Sequence, residues 1–224
     1  MNPRAVLIDL DGTLVDSTPE LTAAVDRVLI GEGHGPVGTE QVRDWVGDGI
    51  DRLLERALTE ATGEVPDAMD MRRIRVSFDT AYAELLGTMA PLCPGVVEGL
   101  DAVRAAGWST ACITNKARVF AVGLLGAVGI ADRFDKVIAA DSGHGTKPAA
   151  GPLEAAARKL GVAIGDCVMV GDSAIDVAAA RAAGCPAWCV RSGYNRGARL
   201  EDSGPDRVFD RLDELAAALT AGGE

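Results

Sequence analysis

Asp9 and Asp11 stand two residues apart at the end of the short apolar run Val6-Leu7-Ile8, and Gly12 and Thr13 follow them. On extended backbone, residues i and i+2 point to the same side, so the pair presents two carboxylates to one space. Carboxylates that close repel each other unless a cation or a shared proton compensates them. Taken alone, Asp9-x-Asp11 would be explained by a solvated Asx turn, with Gly12 freeing the backbone to bend. Three further stretches weigh against so plain a role: Thr114-Asn115, Lys147-Pro148 and Gly171-Asp172-Ser173-Ala174-Ile175-Asp176. Each is weak by itself; the last would serve as an ordinary helix start capped by Asp172 or Ser173. Their order and their placement relative to the strands give them weight together.

Those strands and helices can be read along the chain. The run ending at Ile8 suits a buried strand of a parallel sheet. From Pro91 onward helix-then-strand units repeat, with predicted strands over 109–113, 136–140, 166–170, 187–190 and 208–209. Helices are predicted after Pro94-Gly95, over about 117–128, from near Pro152, over 174–183 and over 212–219. Alternation of this kind predicts an α/β fold, a doubly wound parallel sheet with helices on both faces. Asp9, Thr114 and Asp172 each follow the last residue of a predicted strand, and ligands of such sheets bind at the carboxyl ends of the strands. Lys147 arrives from a loop rich in Gly, Ser and Thr, residues 142–146, followed by Pro148.

Residues 18–87 break this alternation. Thr18-Pro19-Glu20 is a good helix start, and Leu21, Val25, Val28 and Leu29 recur at helical spacing. Further helices are expected from Thr39 as cap, from Ile50, and from about Met69 to Leu86. An all-helical block between one strand and the next predicts an inserted domain. The expected division is therefore 1–15 with 90–224 as the sheet core and 16–89 as a helical insert.

Composition narrows the function classes. The chain has 224 residues, 48% hydrophobic and 25% charged, as expected of a globular protein with a full core. No apolar run approaches the roughly 20 residues of a membrane span, and no secretory signal pattern opens the sequence. The five cysteines show no Cys-x-x-Cys spacing, so a reduced cytoplasmic setting is expected, with neither zinc site nor disulfide framework. A net charge of −11 argues against nucleic acid or an anionic membrane as partner. An anionic substrate would have to be held locally, by a metal or a few aimed cations, and Lys116, Lys136, Lys147 and Lys159 are the only lysines.

The four motifs Asp9-Leu10-Asp11-Gly12-Thr13, Thr114-Asn115, Lys147-Pro148 and Gly171-Asp172-Ser173-Ala174-Ile175-Asp176 resemble those of the haloacid dehalogenase superfamily. The likeness spans essentially the whole chain, because the helical insert falls where that superfamily carries a small cap domain on a Rossmann-like core. Within the superfamily the chain is most similar to the bacterial phosphoglycolate phosphatases. Asp9–Ser17, Trp45-Val46-Gly47-Asp48-Gly49, Leu54–Leu58, Thr114-Asn115-Lys116, Ala182–Pro186 and Gly193-Tyr194-Asn195 carry that likeness. The resemblance implies a Mg²⁺-dependent phosphomonoesterase with Asp9 as nucleophile, Asp11 as general acid and base, and 2-phosphoglycolate as substrate. It implies metal ligation by Asp9, Asp172 and the backbone carbonyl of Asp11, and phosphate binding in the Gly12 turn by Thr114, Asn115 and Lys147. Asp176 would either reach the metal through water or orient Lys147, and Ser173 and Thr13 would stand behind the ligands. A cap arginine would meet the substrate carboxylate; Arg43 and Arg52, which flank Gly47-Asp48-Gly49, are the candidates, each of which could equally be a solvated helix charge. The expected partner is a small phosphorylated metabolite, and the expected state a monomer or homodimer.

The chain departs from the usual pattern at Asp48, at Cys93 and at Ala149-Ala150-Gly151, of which Asp48 adds a negative charge near an anionic substrate. Asp11 argues against a metal-free haloacid dehalogenase, and the absence of lysine from residues 16–87 argues against a phosphonoacetaldehyde hydrolase. A broad sugar-phosphate or nucleotide phosphatase and a sugar-phosphate mutase keep all four motifs. A binding protein with a vestigial site would have the same fold but typically loses the first acid or the lysine.

Overall fold

A computed structural model describes residues 4–194 and 199–221; Asn195 lies outside the described residues. Among the described residues, six parallel strands form one sheet: β1 (Ala5–Ile8), β2 (Ser109–Ile113), β3 (Lys136–Ile138), β4 (Cys167–Gly171), β5 (Ala187–Val190) and β6 (Arg207–Phe209). Their spatial order is β3-β2-β1-β4-β5-β6. The most apolar of the strand sequences take the middle. All four residues of β1 are buried, and β1 pairs from Ala5↔Ser109 to Ile8↔Cys112 on one side and from Ala5↔Cys167 to Ile8↔Val170 on the other. Strand order reverses beside β1, which makes its carboxyl end the switch point where crevices open in such sheets.

Side chains alternate across the sheet. Ala5, Leu7, Ala111, Ile113, Cys167, Met169, Ala187 and Cys189 share one face and one core cluster. Helices α7 (Gly151–Leu160) and α8 (Ala174–Ala183) complete that cluster with Leu153, Ala156, Val177 and Ala180. Helices α5 (Val96–Ala105) and α9 (Asp213–Ala221) pack on each other, α5 also touching β2, while α6 (Arg118–Ala127) packs near β3.

The remaining helices, α1 (Thr18–Gly31), α2 (Thr39–Trp45), α3 (Ile50–Thr62) and α4 (Ala68–Leu85), form a second compact unit, Ser17–Ala90, distinct from the unit of Met1–Asp16 with Pro91–Glu224. Its interior is built from helix-spaced apolar positions, including Leu21, Val25, Leu29, Leu53, Leu54, Ile74, Phe78 and Tyr82. The Phe78 and Tyr82 rings stack at 5.5 Å.

Boundaries differ from expectation where local hydrogen bonds compete with the regular pattern. β3 stops at Ile138, because the Ala139 N–H turns to Ser142 Oγ and the Ala140 N–H to the Lys116 carbonyl. Asp166 belongs to a 3₁₀ turn rather than to β4. Thr39 does not cap α2; Gly38, at φ 85°, takes the cap position. α4 begins one residue earlier than expected, since the Asp67 carboxylate accepts from the Met69 and Asp70 N–H groups. None of the described helices is long and apolar enough to cross a membrane.

Candidate active site

Each functional side chain is delivered by the end of a strand, by the loop after it or, for Asp176, by the first turn of α8. Asp9 follows β1, and its N–H continues the ladder to the Val170 carbonyl at 2.9 Å. The chain then closes a tight loop in which Leu14 and Val15 N–H groups both reach the Leu10 carbonyl, and Gly12 N–H reaches Val15. Gly12 has φ 88°, and a Cβ there would lie 2.6 Å from Asp172 Oδ2. Only glycine meets both demands.

Lys147 is the hub of the buried charges. Its Nζ lies 2.6 Å from Asp9 Oδ1 and 2.6 Å from Asp176 Oδ1, and its side chain is 3% exposed. Burial alone would lower the Lys147 ammonium, but Asp176 and then Asp9 outweigh it and raise it above its usual range. Asn115 fixes the main chain of Lys147 from both sides: its amide donates to the Lys147 carbonyl, and its carbonyl accepts the Lys147 N–H, each at 2.9 Å. The Asn115 side-chain amide is thus engaged in holding Lys147. Thr114, also buried, accepts the Lys116 N–H on its Oγ1 at 3.1 Å.

Asp172 and Asp176 flank the start of α8. Both Asp172 oxygens are occupied, Oδ1 by the Thr13 hydroxyl and Oδ2 by the Tyr194 N–H, each at 2.7 Å. Asp176 gives Oδ1 to Lys147, while Oδ2 accepts from Ser173 Oγ at 2.7 Å and from the Ser173 N–H at 3.2 Å. Ser173 and Asp176 form a capping box on α8. Of the two roles open to Asp176, its contacts therefore favour orienting Lys147, although it also joins the acidic cluster.

That cluster has a charge imbalance. Asp9, Asp172 and Asp176 each place a carboxylate oxygen within 4.8 Å of the others. Burial first, then Asp176 and Asp172, drives the Asp9 carboxyl well above its ordinary value against the pull of Lys147. Burial and Asp176 push Asp172 up to about 7, despite the bonds from Tyr194 and Thr13. Asp11 meets the buried ammonium of Lys116 at 2.8 Å. Among the described residues, four carboxylates thus face two ammonium groups. An all-oxygen donor set with surplus negative charge suits a hard divalent cation, so these residues fit the Mg²⁺ that the motifs imply.

Sequence reasoning did not single out Lys116, Ser192, Tyr194 or Asp16 as site residues. Ser192 Oγ donates to the Gly12 carbonyl at 3.0 Å, and the Tyr194 hydroxyl donates to Asp16 Oδ1 at 2.8 Å. A Cβ on Gly193 would fall on the Asp172 carboxylate. The segment after β5 therefore clasps the Asp9–Asp16 loop and Asp172 together. Cys93 contacts the Gly12 carbonyl, and burial pushes its thiol up to about 12, so it is an unreactive packing group.

Arg43 and Arg52 lie exposed on the helical unit, Arg52 pairing with Glu55 at 2.7 Å. The charge of Asp48 is met within the same unit by Arg56 at 2.6 Å, and Arg56 also holds the Trp45 carbonyl.

Residues 3–184 match the sequence pattern of a hydrolase family, the haloacid dehalogenase-like hydrolases. A phosphoglycolate phosphatase of Nitrosococcus oceani is 40% identical over 218 residues, covering 97% of both chains. One from Escherichia coli is 38% identical over 232 residues, covering 96% of this chain and 92% of its own. The crystal structure of a protein from Haemophilus somnus, described as a predicted phosphoglycolate phosphatase, superposes with a TM-score of 0.92 at 29% identity, covering 97% of this chain and 98% of that one. The strand-end acids, the buried lysine and these relationships agree: the chain belongs to the haloacid dehalogenase-like hydrolase family and is an enzyme of its phosphatase type.

Proposed function

We propose that the protein hydrolyses 2-phosphoglycolate to glycolate and phosphate through a phosphorylated Asp9. The observation that carries the chemistry is the pairing of Asp9 with Lys147 inside an acidic cluster whose negative charge exceeds its positive charge. The substrate is supported by the two phosphoglycolate phosphatases that match almost the whole chain.

On this reading Asp9 attacks phosphorus: a bond forms between its carboxylate oxygen and phosphorus as the ester P–O bond breaks. Asp11 gives its proton to the departing alkoxide, releasing glycolate, and then takes a proton from the water that attacks the Asp9-bound phosphorus. That second attack breaks the Asp9–phosphorus bond, frees phosphate and restores both acids. Asp9, Asp172 and the Asp11 carbonyl would hold Mg²⁺, which lets an anionic nucleophile approach an anionic phosphate and spreads the developing charge. Lys147 and Thr114 bind phosphate oxygens beside the Gly12 turn, and Asn115 keeps Lys147 in place. Arg43 and Arg52 are the candidates for the substrate carboxylate, which a guanidinium matches with two parallel hydrogen bonds.

Phosphate release with Mg²⁺ from 2-phosphoglycolate, hexose phosphates, nucleotides and an aryl phosphate tests the substrate. The reading expects kcat/KM for 2-phosphoglycolate at least about tenfold above the rest, roughly 1.4 kcal/mol of discrimination. A flat profile would keep the phosphatase and remove the substrate; no release from any ester would remove both.

A further inference from the structure

We infer that Lys116 is a positioning residue for Asp11, anchoring one carboxylate oxygen so that the group is aimed for proton transfer to the leaving alkoxide. The inference rests on the phosphatase reading above. Three observations carry it. The Lys116 main chain is pinned at both polar groups, its N–H by Thr114 Oγ1 and its carbonyl by the Ala140 N–H, each at 3.1 Å. Its side chain is 5% exposed, yet the charged end lies 2.8 Å from Asp11 Oδ1. Asp11 is 15% exposed, so part of its side chain stays accessible while the ammonium holds one carboxylate oxygen.

An ammonium buried to this degree has given up most of its hydration, and a surface lysine would have neutralised Asp11 without that cost. Fixing an acid by a charge-assisted bond from a rigid loop confers orientation as well as charge, and a proton donor works only within hydrogen-bond reach of the atom it protonates. Asp11 sits in a loop turning at Gly12, where the backbone alone leaves the side-chain torsions unset. Lys116, arriving from the neighbouring strand end, places a charged constraint on that side chain.

Replacing Lys116 separates aim from bulk effects, because leaving groups differ in their need for a proton. Aryl phosphates leave as stable phenolates, whereas alkyl phosphates depend on the acid. We expect Lys116→Met to lower kcat/KM for 2-phosphoglycolate about a hundredfold and for 4-nitrophenyl phosphate less than about fivefold, within the range typical of general-acid assistance. The ratio kcat/KM is the quantity to compare, since it reports transition-state stabilisation relative to free enzyme and substrate. Lys116→Gln, which keeps a donor and drops the charge, should show the same split to a smaller extent, and it stands in if the Met variant does not fold. Equal losses on both esters, or none on either, in folded protein would overturn the inference and leave the phosphatase reading intact. Wild-type protein inactive on both esters would overturn that reading and this one with it.

Discussion

Asp9 and Asp172 are carboxylates held where water cannot easily solvate them, and the structure shows how each is kept in place. For Asp172 the work is done by Thr13 and by the Tyr194 N–H, and the closeness of Gly193 leaves no room for a side chain. Gly193→Ala should therefore displace the Asp172 carboxylate and weaken Mg²⁺ binding by about 10- to 100-fold, the usual cost of disturbing groups behind a metal ligand. Calorimetric titration of Mg²⁺ into the wild-type and Ala proteins would measure it, and unchanged affinity would mean that Asp172 does not ligate the ion. Asp48 carries a lesson of a different kind. Its charge looked awkward in sequence beside an anionic substrate, but Arg56 pairs with it at 2.6 Å, so it does not stand as an uncompensated charge.

Among the elements, α8 joins stability to the site most closely. Ser173 caps the helix, and its hydroxyl also holds the Asp176 oxygen opposite the one that meets Lys147. Ser173→Ala should destabilise the protein by about 1 kcal/mol, typical of a lost N-cap, and thermal or urea unfolding would register it. A stability equal to wild type would show that the Asp176 half of the capping box suffices. The placement of the strands was legible because β1, β2 and β4 are short apolar runs ended abruptly by polar residues, and the alternation with helices leaves few topologies open. The partnerships across the site were not. Lys116 and Asp11 are 105 residues apart, and Ser192 and Gly12 are 180 apart. Local periodicity carries no information about such pairs, and a Lys after Thr-Asn has no spacing that marks it as a partner of the first motif. β3 ends two residues short of expectation because the Ser142 hydroxyl and the Lys116 carbonyl offer the backbone other acceptors.

At the scale of the whole molecule, surplus negative charge in the site links metal binding to folding. The Asp172 carboxyl stands at about 7 in the folded protein against an ordinary 3.8. Between those values the folded state keeps a proton that the unfolded chain has released, so the metal-free protein loses stability from this group as pH rises from about 4 to about 7 and no further above it. A divalent cation binds the ionised form and offsets that loss. Mg²⁺ should consequently raise Tm more at about pH 8 than at about pH 5.5. Thermal unfolding with and without Mg²⁺ at the two pH values checks this, and equal shifts would contradict a site built from these acids.

On the proposed mechanism, phosphate passes through Asp9. Borohydride added during turnover of 2-phosphoglycolate reduces an acyl phosphate to the alcohol, leaving homoserine where it stood, and peptide mass spectrometry locates the change. Homoserine is expected in place of Asp9 alone, appearing only when substrate and Mg²⁺ are both present. Turnover that leaves Asp9 unaltered, or that marks another carboxylate instead, would contradict it.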